Sequence, residues 1–509
     1  MATKQPNILF IQVDQMAAPA LPFHGPSPLQ VPNLARLAAQ SVVFEAAYCN
    51  SPLCAPSRFS MMSGQLASTI EAYDNAAEFP AAVPTFAHHL RLAGYRTQLA
   101  GKMHFVGPDQ HHGFEERLTT DIYPADFGWT PDWTRPGARQ NYFHVKTSIE
   151  EAGPYARTLQ LDYDEEVAAR AEQALYDLAR APDDRPFFLL ASFTHPHDPY
   201  AISKPYWDRY EDVEIPLPRV PRIAVEEQDP HSARLMRCYD VADATFDEET
   251  LRRARRAYFG SNSYIDDKVG ALLNALEASG VAQDTVVLFT GDHGDMLGER
   301  GLWYKMSFFE WSARVPLLVH APGRFQPARV ARPVSLLDLF PTLMELAGAE
   351  APEPVEVLPG RSLLPLLEGR PDGGPAEVLG EYLAEGTPGP LVMIRRGRFK
   401  YVTGEDSPAQ LFDLDRDPDE LDNLADNPEH AEIAAAFERE VLERWDFAAL
   451  KESVIRNQQR RLLVQRALLT GKHSPWDHQP ATDAAQRFVR NTGTTLEDLE
   501  QRSNLRLSN

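Results

Sequence analysis

Three runs of branched and aromatic residues, far apart along the chain, each stop at side chains able to bind a cation. Ile8 to Val13 stops at Asp14-Gln15, Pro186 to Phe193 at Thr194-His195-Pro196-His197, and Thr285 to Thr290 at Gly291-Asp292-His293-Gly294. Apolar runs of this length without polar alternation predict strands buried on both faces, as in a parallel sheet covered by helices. Ligands gather beyond the carboxyl ends of such strands, so the three polar clusters are expected to converge on one site. Between the strands, Asp164 to Ala181 carries an apolar stripe of Val167, Ala171, Ala174, Leu175 and Leu178, and Leu251 to Ser279 is a second, longer helical stretch. The predicted class is α/β, a mixed and mostly parallel sheet with helices on both faces, over residues 1–370.

The texture changes after Gly369. Gly369 to Pro375 is a turn-rich linker, and Leu391 to Val402, turning at Arg395-Arg396-Gly397-Arg398, reads as a hairpin in a small α+β subdomain over 371–450. The chain becomes helical and charged from Glu432. Residues 451–509 lack the apolar density of a self-contained unit and are expected to form a tail packed on another surface, that of a second subunit in a homo-oligomer.

Composition excludes several classes. With 509 residues, 43% of them hydrophobic, the chain can bury a large core, and a net charge of -23 would repel nucleic acid and anionic membranes. Cys49, Cys54 and Cys238 are too few for a disulfide framework. The run before Asp14 is too short for a signal segment, and no apolar stretch reaches the roughly 18 residues of a membrane span. A cytoplasmic enzyme is expected.

The chemistry centres on Ser51-Pro52-Leu53-Cys54-Ala55-Pro56-Ser57-Arg58, which runs into Phe59-Ser60-Met61-Met62-Ser63-Gly64. A helix beginning just after Cys54 would offer free amides and a positive dipole end to an anion, and Arg58 a bidentate partner for its oxygens. A cysteine by itself is more often a small buried hydrophobe. The whole segment, however, resembles the Cys-x-Pro-x-Arg signature of the type I sulfatases in the alkaline phosphatase superfamily. Gly94-Tyr95-Arg96-Thr97, continuing to Gly101-Lys102-Met103-His104, resembles their second signature. Ser63 departs from the family's usual Thr, Ala or Arg.

The resemblance implies an alkaline-phosphatase-like fold and oxidation of Cys54 to formylglycine by a formylglycine-generating enzyme. A hydrated aldehyde has two hydroxyls on one carbon: one can attack sulfur, and deprotonation of the other re-forms the aldehyde and expels sulfate. A plain thiol has no such exit. One divalent ion is expected on Asp14, Cys54, Asp292, His293 and, more weakly, Gln15. Oxygen-rich ligation suits Ca²⁺ or Mg²⁺, and the imidazole favours Mn²⁺. The family commonly carries Asp-Asp and Asp-Asn at these two pairs, so Gln15 and His293 are departures. By the same resemblance Lys102 and Lys305 neutralise the sulfate, His104 is the base of the elimination step, and His197, preferred over His195, protonates the leaving alcohol.

Lys102 to Gln110, His112 to Trp129, Asp292 to Trp303 and Pro475 to Pro480 further resemble the choline sulfatases. This implies choline sulfate as substrate, with Trp129, His144, Glu385 and Glu497 around the quaternary ammonium, whereas Trp133 is expected to be a packing anchor. Two other readings stay open: a phosphonate monoester or phosphodiester hydrolase of the same superfamily, and a non-catalytic binding protein on the same fold.

Overall fold

The computed structural model describes residues 5–135, 144–181, 184–348 and 352–481, with Thr495, Asp498 and Gln501. Its centre is a nine-stranded sheet. Across it run Ala328–Val330, Val42–Tyr48, Arg314–His320, Thr285–Gly291, Asn7–Val13, Phe187–Phe193, Arg96–Gly101 and Glu116–Arg117, while Val334–Ser335 also pairs with Val42–Tyr48. Neighbours are parallel except around Arg314–His320, which is antiparallel to both strands beside it. The three runs read from sequence are its central strands and are buried almost throughout.

Register explains why their ends meet. Val13 pairs with Phe193 on one side and Gly291 on the other, so Asp14, Thr194 and Asp292 leave the sheet side by side. Gly101 pairs with Ser192, which brings Lys102 to the same edge. Gly101 has φ +111°, and a Cβ there would lie 1.9 Å from the Ser192 carbonyl oxygen, so the glycine before Lys102 is a steric requirement of the strand pairing.

Leu159–Ala179, Glu248–Ala278 and Pro32–Ala39 pack together on one face, and Cys54–Ser63, Phe86–Leu92 and Leu339–Ala347 on the other. The first begins five residues earlier than its apolar stripe suggests, because the Thr158 side chain accepts from the Leu161 amide and caps it. A second sheet, Glu377–Tyr382, Leu391–Arg396, Phe399–Gly404 and Ser407–Asp413, is an antiparallel meander. Its tight turn is Gly397-Arg398, shorter than the four residues expected: Arg395 and Arg396 stay in the strand, where Arg396 pairs with Glu377 and Glu440. Alternation splits this sheet between two cores. Leu391 and Met393 join the main one, while Val392 and Ile394 meet Phe437 and Val441 of the helix Ala431–Arg444.

The helix Phe447–Leu468 and the segment after it lie on their own chain up to residue 481. Val454, Gln458 and Arg461 are buried, Trp476 meets Phe127 edge-on at 5.2 Å, and Asp477 accepts from the Ala125 amide. Trp133 is a packing anchor, its indole N–H donating to the Ala384 carbonyl at 2.8 Å among Tyr73, Leu383 and Val454. No helix among the described residues is long and apolar enough to cross a membrane.

Candidate active site

Cys54 opens a buried ten-residue helix, Cys54–Ser63, which begins at the cysteine rather than after it and ends on Gly64 in the left-handed conformation (φ +68°). Its first turn is not capped by its own sequence. Instead the Asn75 side chain accepts from the Ala55 amide at 3.0 Å. The thiol lies 3.2 Å from His293 Nε2 and 3.8 Å from Asp14 Oδ1. Asp14, Cys54, Asp292 and His293 each turn one donor atom into the same space, all within 4.8 Å of one another and all buried.

This set fits a divalent ion by its own chemistry. His293 Nδ1 lies 3.0 Å from the Gly294 carbonyl oxygen, which can only accept, so Nδ1 carries the proton and Nε2 presents a lone pair. That lone pair faces Asp14 Oδ1 at 3.6 Å and Asp292 Oδ2 at 3.7 Å. Asp292 Oδ2 also accepts from Arg58, so the pair left facing each other is Asp14 Oδ1 and the imidazole lone pair, a repulsion that a cation between them would remove.

Arg58 sits elsewhere than expected. Its guanidinium is completely buried, bonding Asp292 through Nε at 2.8 Å, Asp14 through Nη2 at 3.0 Å, and the Lys102 carbonyl and Ser192 through Nη1. The fork that was to hold anion oxygens therefore clamps the two carboxylates together, and the other buried cations acting on Cys54 are Lys102 and Lys305. Lys102 Nζ bonds Asp14 Oδ2 and lies 4.3 Å from the centre of the Tyr123 ring. Burial works against ionisation of Asp14, but the charges of Lys102 and Arg58 outweigh it and hold the carboxyl well below its usual range. The same pair raises Lys102 against its own burial. Burial, then the charge of Asp14, push the Cys54 thiol up to about 11, so an unmodified Cys54 is an unactivated thiol at neutral pH.

Lys305 Nζ donates to the Gln15 amide oxygen and to His197 Nε2, each at 2.7 Å. His197 Nδ1 lies 2.5 Å from the Asp198 carbonyl oxygen, and burial followed by Lys305 holds the ring neutral, well below its usual pKa. His195 is absorbed by the fold, its Nδ1 2.7 Å from the buried Asp164, which also accepts from the Thr194 and His195 amides. His104 is placed by a left-handed backbone (φ +60°) and by Asp121, which accepts its amide. Both its ring nitrogens are buried without a hydrogen-bond partner, and burial and then Lys102 hold the ring neutral.

A cleft of about 410 Å³ opens above Cys54, walled by Asn75, Tyr123, Trp129, His144, His197, Asp198 and Glu385 among others. Trp129 lies 5.0 Å from Tyr123 and 5.7 Å from His104, ring centre to ring centre. His144 stacks on Tyr304 and bonds Asp198 at 2.8 Å. Glu385 Oε2 is buried with no partner, and burial pushes its carboxyl up to about 7. Glu497 lies outside the described residues. Tyr123, Asn75, Asp198 and Asp295 were missed as site residues; Asp198 and Asp295 follow the recognised histidines within two positions, the one available sequence signal.

The segments that build this pocket are shared with known proteins. The family Sulfatase matches residues 6–349, N-sulphoglucosamine sulphohydrolase, C-terminal matches 298–446, and Choline sulfatase enzyme C terminal matches 452–504. A choline-sulfatase of Rhizobium meliloti (strain 1021) is 50% identical over 98% of both chains. An arylsulfatase of Clostridium perfringens (strain 13 / Type A) is 30% identical over 84% of this chain and 92% of its own. Among solved structures, the phosphonate monoester hydrolase of Agrobacterium radiobacter superposes with a TM-score of 0.69 at 25% identity, covering 88% of this chain and 96% of that one. A match over two thirds of the chain, on the segments that surround Cys54, settles the family: the chain belongs to the sulfatases of the alkaline phosphatase superfamily and is a sulfuric ester hydrolase.

Proposed function

We propose that this sulfatase hydrolyses choline-O-sulfate to choline and sulfate. The observation that carries the substrate is the buried, unpartnered Oε2 of Glu385 at a cleft wall that also holds Trp129 and His144. A quaternary ammonium has no proton to donate and is held by aromatic faces and carboxylate charge, both of which this wall offers. The likeness to the Rhizobium meliloti choline-sulfatase supports the same substrate.

In this reading Lys102 and Lys305 neutralise the sulfate oxygens from two sides of Cys54. Asp14, Asp292, His293 and residue 54 would hold one divalent ion, Mn²⁺, Ca²⁺ or Mg²⁺, with Gln15 the weaker ligand because its amide oxygen accepts from Lys305, and the ion would supply Lewis-acid polarisation of the attacking oxygen. Formylglycine at position 54, installed by a formylglycine-generating enzyme, supplies the paired hydroxyls that the unactivated Cys54 thiol lacks. Arg58 keeps the two carboxylates at a fixed spacing. His104, neutral and unpartnered, accepts the proton at a ring nitrogen during sulfate expulsion; His197 takes up a proton from solvent at Nε2 once the substrate anion offsets the field of Lys305, and gives it to the leaving alcohol. In the same reading the protein is cytoplasmic, its domains run 1–370 and 371–450, and the tail 451–509 serves oligomerisation and pocket completion, with Glu497 as a substrate-binding residue.

Turnover of choline sulfate, an aryl sulfate and a phosphonate monoester by one purified sample tests the substrate. The expected order has choline sulfate first by kcat/KM. The structural likeness to a phosphonate monoester hydrolase favours weak activity on that ester, and its ranking first would replace the proposal.

A further inference from the structure

Asp295 lies just past His293, buried, and takes no part in the donor set around Cys54. Its surroundings are all donors. Oδ1 accepts from the Leu297 amide at 2.8 Å and the Tyr304 amide at 3.1 Å, and Oδ2 from the Tyr200 hydroxyl at 2.9 Å and Gln15 Nε2 at 2.7 Å. Leu297 (φ +47°) and Tyr304 (φ +62°) are in the left-handed region, as is Met306 (φ +74°) on the far side of Lys305. Non-glycine residues hold that conformation only where their surroundings fix it. A single carboxylate thus ties both ends of the turn that delivers Lys305.

The other oxygen governs Gln15, itself left-handed at φ +64°. An amide can be turned end for end, but here both ends are specified. Asp295 Oδ2 at 2.7 Å, and the more distant Asp198 Oδ1 at 3.3 Å, offer only lone pairs to Nε2, and the Lys305 ammonium offers only protons to Oε1, 2.7 Å away. The reversed amide would set oxygen against oxygen at one end and N–H against N–H at the other. From this geometry we infer that Asp295 is a positioning residue: it fixes the polarity of the Gln15 amide and so the place of the Lys305 ammonium that receives the sulfate group. The inference rests on the proposed role of Lys305 and goes beyond it.

The test is a two-residue cycle on the full chain, read first by the affinity for inorganic sulfate in calorimetry and then by kcat and KM for an aryl sulfate, with bound metal quantified in each sample. Asp295→Asn places an N–H₂ against Gln15, leaves only the longer Asp198 contact to hold the amide's polarity, and so loosens the acceptor at Lys305. Sulfate affinity is expected to fall about tenfold, a single charge-assisted hydrogen bond. KM should rise by a similar factor and more than kcat falls. Gln15→Glu alone sets two carboxylates together and should also weaken sulfate. The double variant restores an acceptor toward both Lys305 and the new amide at position 295, at unchanged total charge, and is expected to recover most of the loss, which a general packing defect at Asp295 would not allow. Parental affinity in Asp295→Asn, or a double variant no better than either single, overturns the inference. Should Asp295→Asn fail to fold, Gln15→Met decides: it leaves the Asp295 turn contacts intact and must weaken sulfate comparably, unchanged affinity being fatal. Because sulfate binding needs no turnover, a parent that binds sulfate but cleaves no sulfate ester would count against the proposed function alone.

Discussion

The floor and the rim of the cleft are built in opposite ways. On the floor every charge is answered: Asp14 and Asp292 by Arg58, Asp14 again by Lys102, and Lys305 by Gln15. Asp14, Asp292 and Lys102 leave strand ends whose register fixes them, Arg58 comes from the helix Cys54–Ser63, and Lys305 from the turn tied by Asp295. The rim is made largely of loops, with the C-terminal tail packed behind the one that carries Trp129, and there Glu385 is buried with an unanswered oxygen while Trp129 and Tyr123 lean on each other. A group with its partners in place is organised for a fixed reaction, whereas a buried group without one is organised for a ligand that brings the partner. The contrast assigns bond cleavage to the floor and choice of leaving group to the rim, and each variant below pulls on one side of it.

The largest effect belongs to the floor. Cys54→Ala removes the side chain from which the nucleophile is made and should lower kcat for every sulfate ester by about 10⁴-fold or more. Its melting temperature should stay near the parental one, because a small side chain is lost and no buried charge is stranded. Equal loss on choline sulfate and an aryl sulfate is the signature, and a loss confined to choline sulfate would break the division between floor and rim.

Arg58→Met comes next and separates holding from catalysing. It leaves Asp14 and Asp292 without the guanidinium that clamps them, a change that costs about 3–5 kcal/mol for a buried pair. Chemical denaturation should show this loss in full in metal-free protein, and added Mn²⁺ should return part of it by supplying positive charge between the same carboxylates. If stability were parental without metal, Arg58 would not be the clamp its contacts describe.

Most of the floor was legible in the sequence because buried parallel strands write themselves as unbroken apolar runs, and the polar residue after each run can only leave at the sheet edge. The two signature motifs added Cys54, Lys102 and His104, and the role of Gly101 in them is the steric one seen against Ser192. What the sequence hid was polar docking. The helix Phe447–Leu468 was read as lacking core residues, and its buried positions are indeed Gln458 and Arg461 beside Val454. Gln458 accepts from the Trp133 amide, and Arg461 bonds Asp74 and Thr130 on either side of the cleft mouth. Such contacts leave no hydrophobic period to read. Arg58 was found by motif but misjudged in direction, since spacing cannot say whether a guanidinium faces the ligand or the ligand's holders.

On the rim, Glu385→Gln should raise KM for choline sulfate about tenfold while changing an aryl sulfate by less than about threefold, the scale of one desolvated cation contact. The parental pH dependence carries the same information. Burial pushes the Glu385 carboxyl up to about 7, so the carboxylate that attracts a cation forms only as pH rises through that value. KM for choline sulfate should therefore fall between about pH 6 and pH 8, KM for the aryl sulfate should not follow it, and Glu385→Gln should abolish the difference. Linkage runs the other way for the unliganded fold: a carboxyl raised above its unfolded value binds more protons when native, so its contribution to stability declines as pH climbs from about 4.5 to 7.

The smallest effect is expected where the tail meets the rim. Trp476 touches Phe127 edge-on at 5.2 Å, two residues before Trp129, and the neighbouring Asp477 accepts from the Ala125 amide. Trp476→Ala removes an aromatic contact of about 1 kcal/mol and leaves the floor untouched. If the tail works by stiffening the wall that carries Trp129, KM for choline sulfate should rise by about two- to fivefold, with kcat and all aryl sulfate constants parental. A fall in kcat for both esters would mean instead that the tail reaches through to the floor, either by the Tyr123–Trp129 pair and the Lys102–Tyr123 contact beneath it or by His478, Arg117 and Asp121, which accepts the Met103 and His104 amides beside Lys102.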